Sequence, residues 1–282
     1  MQTILVTGAT GTIGSNVVSE LQKLGGARIR VAVRDREKAP AGTEAVPLDW
    51  EKPETVAAAV KGADAVFLLT PFVENSVPYA KALVDAAKAA GVKKIVKLSA
   101  AGAGEPGFPL IKRHAEAEQL IRESGIAWVA LRPAFFMTNF IAYYGPDAEG
   151  AMYLPTGSGK AAWIDPRDIG EVAARTLLQS TWDNRALDLT GPEALSVADV
   201  AALIGKVSGR PIRHVDVPET AARSAMEGMQ LPAWMVDGML ALHNVIKQGW
   251  AAAVSPAVAE VTGHPPRTFA AFAQDNAAAW KQ

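Results

Sequence analysis

The chain contains no cysteine. That excludes disulfides, thiol nucleophiles and cysteine-held metals, and it suits a reducing compartment. An excess of either charge is also missing. Lysine and arginine number 28 against 29 aspartates and glutamates, a net charge of -1, so there is no general electrostatic footprint for nucleic acid. Histidine is scarce, and His114, His214, His243 and His264 are too scattered to form a metal-ligand spacing; no metal is expected. No apolar run reaches the length of a membrane span, and the N-terminus lacks the charged region and apolar core of a signal peptide. The expectation is a soluble cytoplasmic protein with no membrane or nucleic-acid partner. Repeats and low-complexity tracts are absent too, and 282 residues suffice for one large domain or for one domain with a smaller second one.

What is present begins at the first residue. In MQTILVTGATGTIG a short apolar run, Ile4 to Val6, feeds into three glycines spaced three apart. Gly8 supplies a tight turn after a strand, Gly11 admits a close backbone approach by a pyrophosphate, and Gly14 lets the next helix pack on the sheet. Thr10, Thr12 and Ile13 share this loop, and the free N–H groups of the helix N-terminus face the phosphates. The spacing is GxxGxxG rather than GxGxxG, so the match to the commonest dinucleotide fingerprint lies in mechanism, not letter by letter.

A second strand, Arg28 to Val33, ends in Arg34, Asp35 and Arg36, with Lys38 close behind. An acidic residue there would bond a ribose, whereas arginine pairs with a 2′-phosphate through two charge-assisted bonds. Arg34 comes first, which favours NADP(H) over NAD(H), with Lys38 assisting. Val46 to Asp49 reads as a third strand, placing Asp49 and Trp50 beside an adenine; equally, Asp49 caps the helix that starts near Pro53. Ala65 to Leu69 reads as a buried parallel strand. Thr70, Pro71 and Phe72 leave its carboxyl end, where ligands bind in such sheets. Strand Lys94 to Leu98 leads to Ser99, helix Lys112 to Ser124 follows, and strand Ala127 to Leu131 leads to Pro133 and the aromatic pair Phe135 and Phe136. This alternation predicts a right-handed, doubly wound parallel α/β sheet.

In the second half, Ala151 to Lys160 reads as a loop or hairpin, and Asp165 and Asp168 as helix-start devices. Ala186 to Leu189 returns as a strand. Ser196 with Asp199 makes a capping box for a helix closed by Gly209. A short strand, Ile212 to Val217, precedes helical stretches over about Glu219 to Met229, Pro232 to Gln248 and Arg267 to Trp280. The expected organisation is a cofactor-binding core over 1–150 and a smaller, mostly helical substrate-side domain over 151–282, with about 164–190 returning to the core sheet.

The opening TGATGTIG, the pairing of LRPAFFMTNF with IDPRDIGEVAA, and LTGPEALSVADVA resemble the NmrA-like branch of the atypical short-chain dehydrogenases. The resemblance implies a Rossmann sheet and an NADP(H) cofactor. It also implies an activity among the quinone, azo and triphenylmethane dye reductases of that branch, or a redox-sensing role with a protein partner. Extended short-chain dehydrogenases carry Tyr, three residues, then Lys, the tyrosine handling the carbonyl proton. Here Lys112, with Glu116, sits at the lysine position, and the residue four before it is Phe108.

The missing tyrosine argues against ordinary ketone reduction, because a positioned acid contributes about a hundred- to ten-thousandfold to that step. An electron-poor acceptor (quinone, azo compound, dye cation or iminium) takes hydride first. A ketone reductase with a relocated acid is the weaker reading. Candidate pocket walls are Phe72, Phe108, Phe135, Phe136, Tyr143, Tyr144, Trp163 and Trp234, each of which could equally be core. Asn139 is placed to bond a substrate oxygen. Tyr143 or Tyr144 could replace the missing acid, Ser99 could bond nicotinamide or substrate, and Lys112 the nicotinamide ribose. His114, two positions on, faces a different side of the helix from Lys112 and reads as a solvated or packed histidine. The expected assembly is a homodimer formed through surface helices.

Overall fold

A computed structural model describes residues 1–104 and 109–281. Its centre is a sheet of seven parallel strands: β1 (Gln2–Thr7), β2 (Ala27–Val33), β3 (Glu44–Pro47), β4 (Ala65–Leu68), β5 (Lys94–Leu98), β6 (Ala127–Pro133) and β9 (Arg185–Leu189), in the order β3-β2-β1-β4-β5-β6-β9. Two further pairs are short. β7 (Ala151–Leu154) runs parallel to β11 (Arg213–Asp216), and β8 (Lys160–Ala161) antiparallel to β10 (Leu195–Ser196).

The helices are α1 (Thr12–Leu24), α2 (Pro53–Val60), α3 (Ser76–Ala89), α4 (Pro109–Ser124), α5 (Asn139–Ala142), α6 (Pro166–Leu178), α7 (Val197–Ser208), α8 (Glu219–Gly228), α9 (Ala233–Lys247), α10 (Ala257–Thr262) and α11 (Phe269–Asp275). None is long and apolar enough to cross a membrane among the described residues.

The strand order reverses between β1 and β4. Both strands leave that point with apolar residues fully buried on both faces, as parallel strands covered by helices require. Thr7 ties their carboxyl ends together, its Oγ1 accepting from the Leu69 N–H at 2.8 Å and lying 2.9 Å from the Leu69 carbonyl. One face of the sheet packs a core of Leu5, Val66, Leu68, Leu83, Ile95 and Ile121.

The chain divides into two compact units. The first comprises Met1–Pro133, Pro166–Leu189 and Ala257–His264, and holds the whole seven-stranded sheet. The second comprises Ala134–Asp165, Thr190–Pro256 and Pro265–Gln282. Residues 134–150, expected within the cofactor-binding core, therefore lie in the second unit. The reason is Phe140: fully buried, it packs edge-on against Trp163 at 4.7 Å and Phe269 at 5.4 Å, and its carbonyl accepts from the Trp280 indole. Residues 151–160 are not a simple hairpin, since β7 pairs with a strand sixty residues away. The segment expected as one helix over Arg267 to Trp280 is divided. Thr268 caps α11, accepting from the Ala271 N–H, and a 3-10 turn (Ala277–Trp280) follows.

Candidate functional site

The turn after β1 is built as the glycine spacing demands. Gly8 sits at φ +66°, in the left-handed region, and its carbonyl accepts from the Gly11 N–H at 3.0 Å. A Cβ on Gly14 would stand 2.1 Å from the Gly8 carbonyl oxygen, so any side chain there would force α1 off the strand. Gly11 precedes α1 in extended conformation with no side-chain cap, and the first turn carries no acidic residue. The result is a helix N-terminus with donors uncompensated by side chains, beside Thr10, Gly11 and Thr12, all exposed. Ile13 turns inward and is buried. This cradle fits a pyrophosphate.

β2 ends at Val33, and Arg34 follows it, exposed and with no hydrogen bond or ion pair among the described residues. Asp35 is spent locally, capping a 3-10 turn (Arg36–Lys38) by accepting from the Glu37 N–H at 3.0 Å; Lys38 is exposed. The first charged residue after β2 is therefore an exposed guanidinium with no partner among the described residues, and the acid next to it, Asp35, is engaged in its own turn. β3 begins and ends earlier than its sequence suggests, so Asp49 lies in the turn after it. Its carboxylate accepts from the Glu51 N–H at 3.1 Å and stands 3.6 Å from Lys52, while Lys52, not Asp49, directly precedes α2. Trp50 is half-buried against the core and packs on Tyr79 at 5.7 Å. Thr70 and Pro71 are half-buried at the carboxyl end of β4, and Phe72 is 56% exposed. Phe108 lies outside the described residues.

Two candidates lie at β5 and α4. Lys112 points to solvent, 70% exposed and 3.8 Å from Glu116, on the face away from the sheet. Ser99 is buried and its hydroxyl donates to Glu118 at 2.6 Å, so its proton is committed inside the protein. Between β5, α4 and β6 lies instead a group that pattern reading missed. Glu118, 1% exposed, takes two bonds from Arg132 (3.0 and 2.7 Å) and one from Arg122 (3.1 Å). Lys97, 3% exposed, donates to the Leu98 carbonyl at 2.9 Å and stands 3.1 Å from His114 Nδ1.

Burial by itself would raise the Glu118 carboxyl, but the bonds from Arg132 and Ser99, with the charges of Arg132 and Lys97, hold it below the usual carboxylate range. Burial drives Lys97 down to about 7, against the pull of Glu118. Burial and the Lys97 charge take His114 down to about 3. One sequence signal marked this cluster in advance: Lys97 interrupts an otherwise apolar strand, Ile95 to Leu98, where an ionised side chain has no place without partners.

The remaining candidates belong to the second unit. Phe135 and Phe136 are half-buried; Phe135 meets Trp163 edge-on at 5.5 Å, and Phe136 bridges to Ile164. Asn139 is half-buried at the start of α5. Trp163, taken as a pocket wall, is 1% exposed with its indole N–H donated to the Leu195 carbonyl at 2.9 Å, and so belongs to the core. Tyr143 is 78% exposed. The Tyr144 hydroxyl lies 3.3 Å from Nε2 of the buried His243, and burial raises its pKa, which makes it a poorer acid than an ordinary tyrosine. Trp234 is half-buried in α9. Among the described residues no cluster of histidine or carboxylate side chains has the arrangement of a metal site.

A family profile described as the NmrA-like family matches residues 1–265. The chain is 42% identical to a protein named NAD(P)H azoreductase from Xenophilus azovorans, over 98% of this chain and 99% of that one. Among solved structures it resembles the NADPH-dependent quinone oxidoreductase of Escherichia coli in complex with NADPH (TM-score 0.88, 28% identity, 96% and 99% of the two chains). It also resembles the triphenylmethane reductase of Citrobacter sp. complexed with NADP(H) (TM-score 0.87, 25% identity, 97% and 99%).

Proposed function

The chain belongs to the NmrA-like family, and from that premise we propose that it is an NADPH-dependent reductase of electron-poor small molecules: quinones, azo compounds, dye cations or iminium ions. The observation that carries the cofactor half is the uncapped glycine cradle together with the unpaired Arg34 at the end of β2. The cradle supplies backbone donors for a pyrophosphate, and Arg34 a two-pronged partner for a 2′-phosphate. Thr70 and Pro71 are assigned to the nicotinamide side, Pro133 with them.

When bound, the reduced nicotinamide supplies a hydride. The protein's part is to hold that group and a flat acceptor in register, which is worth several orders of magnitude in rate without any covalent chemistry. In the first unit Phe72 is assigned to stacking the acceptor; in the second, Phe135, Phe136, Asn139 and Trp234 stand as substrate-side candidates. Phenylalanine at position 108 in place of the short-chain dehydrogenase tyrosine supports an acceptor that accepts hydride before it needs a proton.

The test is NADPH oxidation by the purified protein across a quinone, an azo dye, a cationic triarylmethane dye, a cyclic imine and a simple ketone. Turnover of at least one electron-poor acceptor and none of the ketone is expected. Tight NADPH binding with no turnover of any acceptor overturns the reductase reading in favour of a redox-sensing regulator.

A further inference from the structure

In the buried cluster at β5 and α4, Lys97 stands outside the hydrogen bonds made to Glu118. Glu118 is already compensated by a two-bond contact from Arg132 and a third bond from Arg122. Lys97 makes no hydrogen bond to Glu118. Its Nζ is turned instead to one backbone carbonyl and one imidazole nitrogen, at a site where an ionised amine is costly. An ammonium can only donate. With Lys97 protonated, His114 Nδ1 must therefore accept, and the single proton of the neutral imidazole is placed on Nε2. That nitrogen has no partner among the described residues, and His114 is half-buried. Lys97 is the penultimate residue of β5, beside its carboxyl end at Leu98, the end at which ligands of such sheets bind.

We propose that His114 and Lys97 form a proton relay that does the work of the absent tyrosine. The inference rests on the reductase reading above. Hydride from the reduced nicotinamide adds to one atom of a quinone or azo acceptor and leaves an electron pair and negative charge on an oxygen or on the second nitrogen. The His114 Nε2–H bond breaks as its proton bonds to that atom while His114 Nδ1 takes a proton from Lys97 Nζ; afterwards Nδ1 returns that proton to neutral Lys97 as Nε2 takes one from solvent. The acceptor gains one hydride and one proton, and the imidazole ends in its other tautomer until the pair resets. His114 is the catalytic acid, and Lys97 acts through it.

Lys97 sits near 7 and His114 near 3, so around neutral pH the histidine is uncharged and the lysine shuttles between its two forms. The charged group acting on both members of the pair is Glu118 on α4, which in turn is bonded by Arg122 on α4 and Arg132 on β6.

The acceptors themselves separate a proton relay from a structural cluster. A cationic triarylmethane dye becomes neutral on gaining hydride and needs no proton; a quinone or azo dye needs one. The experiment compares kcat for a quinone and for such a dye, across pH, in the unmodified protein, His114→Gln and Lys97→Met. A second readout is 15N and 13C NMR of the cofactor-free protein.

The relay predicts a quinone-to-dye ratio lower by about a hundredfold or more in His114→Gln, the scale of a general acid. It predicts quinone turnover that falls above a pH of about 7 in the unmodified protein, as Lys97 loses its proton, with that inflection gone in Lys97→Met. NMR should find the Nε2–H tautomer of His114 and a Lys97 titration near 7. An unchanged ratio in either folded variant, or an Nδ1–H tautomer at pH 6, overturns the relay while the reductase reading stands. No turnover of any acceptor by the unmodified protein overturns that reading and the relay with it.

Discussion

Arg34 is the residue proposed to set cofactor choice, because it is the first charged residue after β2 and is exposed without a partner among the described residues. A guanidinium bonded to a phosphate is worth about 1.5–3 kcal/mol, or roughly ten- to a hundredfold in affinity. Arg34→Ala should therefore raise KM for NADPH by about that factor and leave KM for NADH nearly unchanged. Steady-state titration with both cofactors checks this, and an equal rise in both would remove Arg34 from the 2′-phosphate. The residues that were legible beforehand are those whose chemistry is local. Gly8 and Gly14 announce a turn and a close approach by their type and spacing alone. Ser99 and Lys112 could not be placed that way. Their roles depend on which face of α4 meets β5, and the exposed Lys112 and buried Glu118 lie on opposite faces of one helix.

Elements with their own terminal signals were readable, and short ones sustained from a distance were not. Helix α7 carries the expected capping box: Ser196 Oγ accepts from the Asp199 N–H at 3.1 Å, Asp199 accepts from the Ser196 N–H at 2.9 Å, and Gly209 closes the helix at φ +74°. By contrast β7 and β11 have four residues each and exist because they pair with one another, while α10 has six residues and packs on α6. Nothing within such windows distinguishes them from loop.

Packing between elements gives the sharper prediction. A Cβ on Gly170 of α6 would stand 2.5 Å from the Asn16 Cβ and 2.8 Å from its carbonyl carbon, so α1 and α6 meet here at glycine distance. Overpacking of this kind costs about 1–3 kcal/mol. Gly170→Ala should lower Tm by roughly 2–4 °C per kcal/mol in a chain of this size. A melting curve that does not move would mean that the two helices slide apart without loss.

At the scale of the whole chain, the sheet is assembled from parts distant in sequence. Residues 1–133 carry six of its strands, but β9 and α6 arrive only with residues 166–189, and α10 later still. The reason for the return is visible along α6, where Ile169, Val172, Ala173, Thr176 and Leu177 are buried and the backbone approaches α1 at Gly170. Lys94 in β5 reaches the carboxyl end of the same helix, bonding the Thr176 and Gln179 carbonyls at 3.2 and 2.6 Å. Without residues 166–189, a face of α1 and the outer edge of β6 would be bare, and a long unpaired edge with exposed apolar surface is what drives association of incomplete sheets. The cofactor cradle needs α1 held at the end of β1, so its fate follows that of α6. A fragment ending at Pro133 should therefore contain every residue assigned here to the phosphates and the 2′-phosphate and still fail to bind NADPH. Far-UV circular dichroism with thermal melting, alongside NADPH fluorescence titration, would show loss of a cooperative transition together with loss of binding. A fragment that melts cooperatively and binds NADPH with the affinity of the full chain would show that the sheet folds without its returning strand, and that α6 is an addition to the cofactor site and not its support.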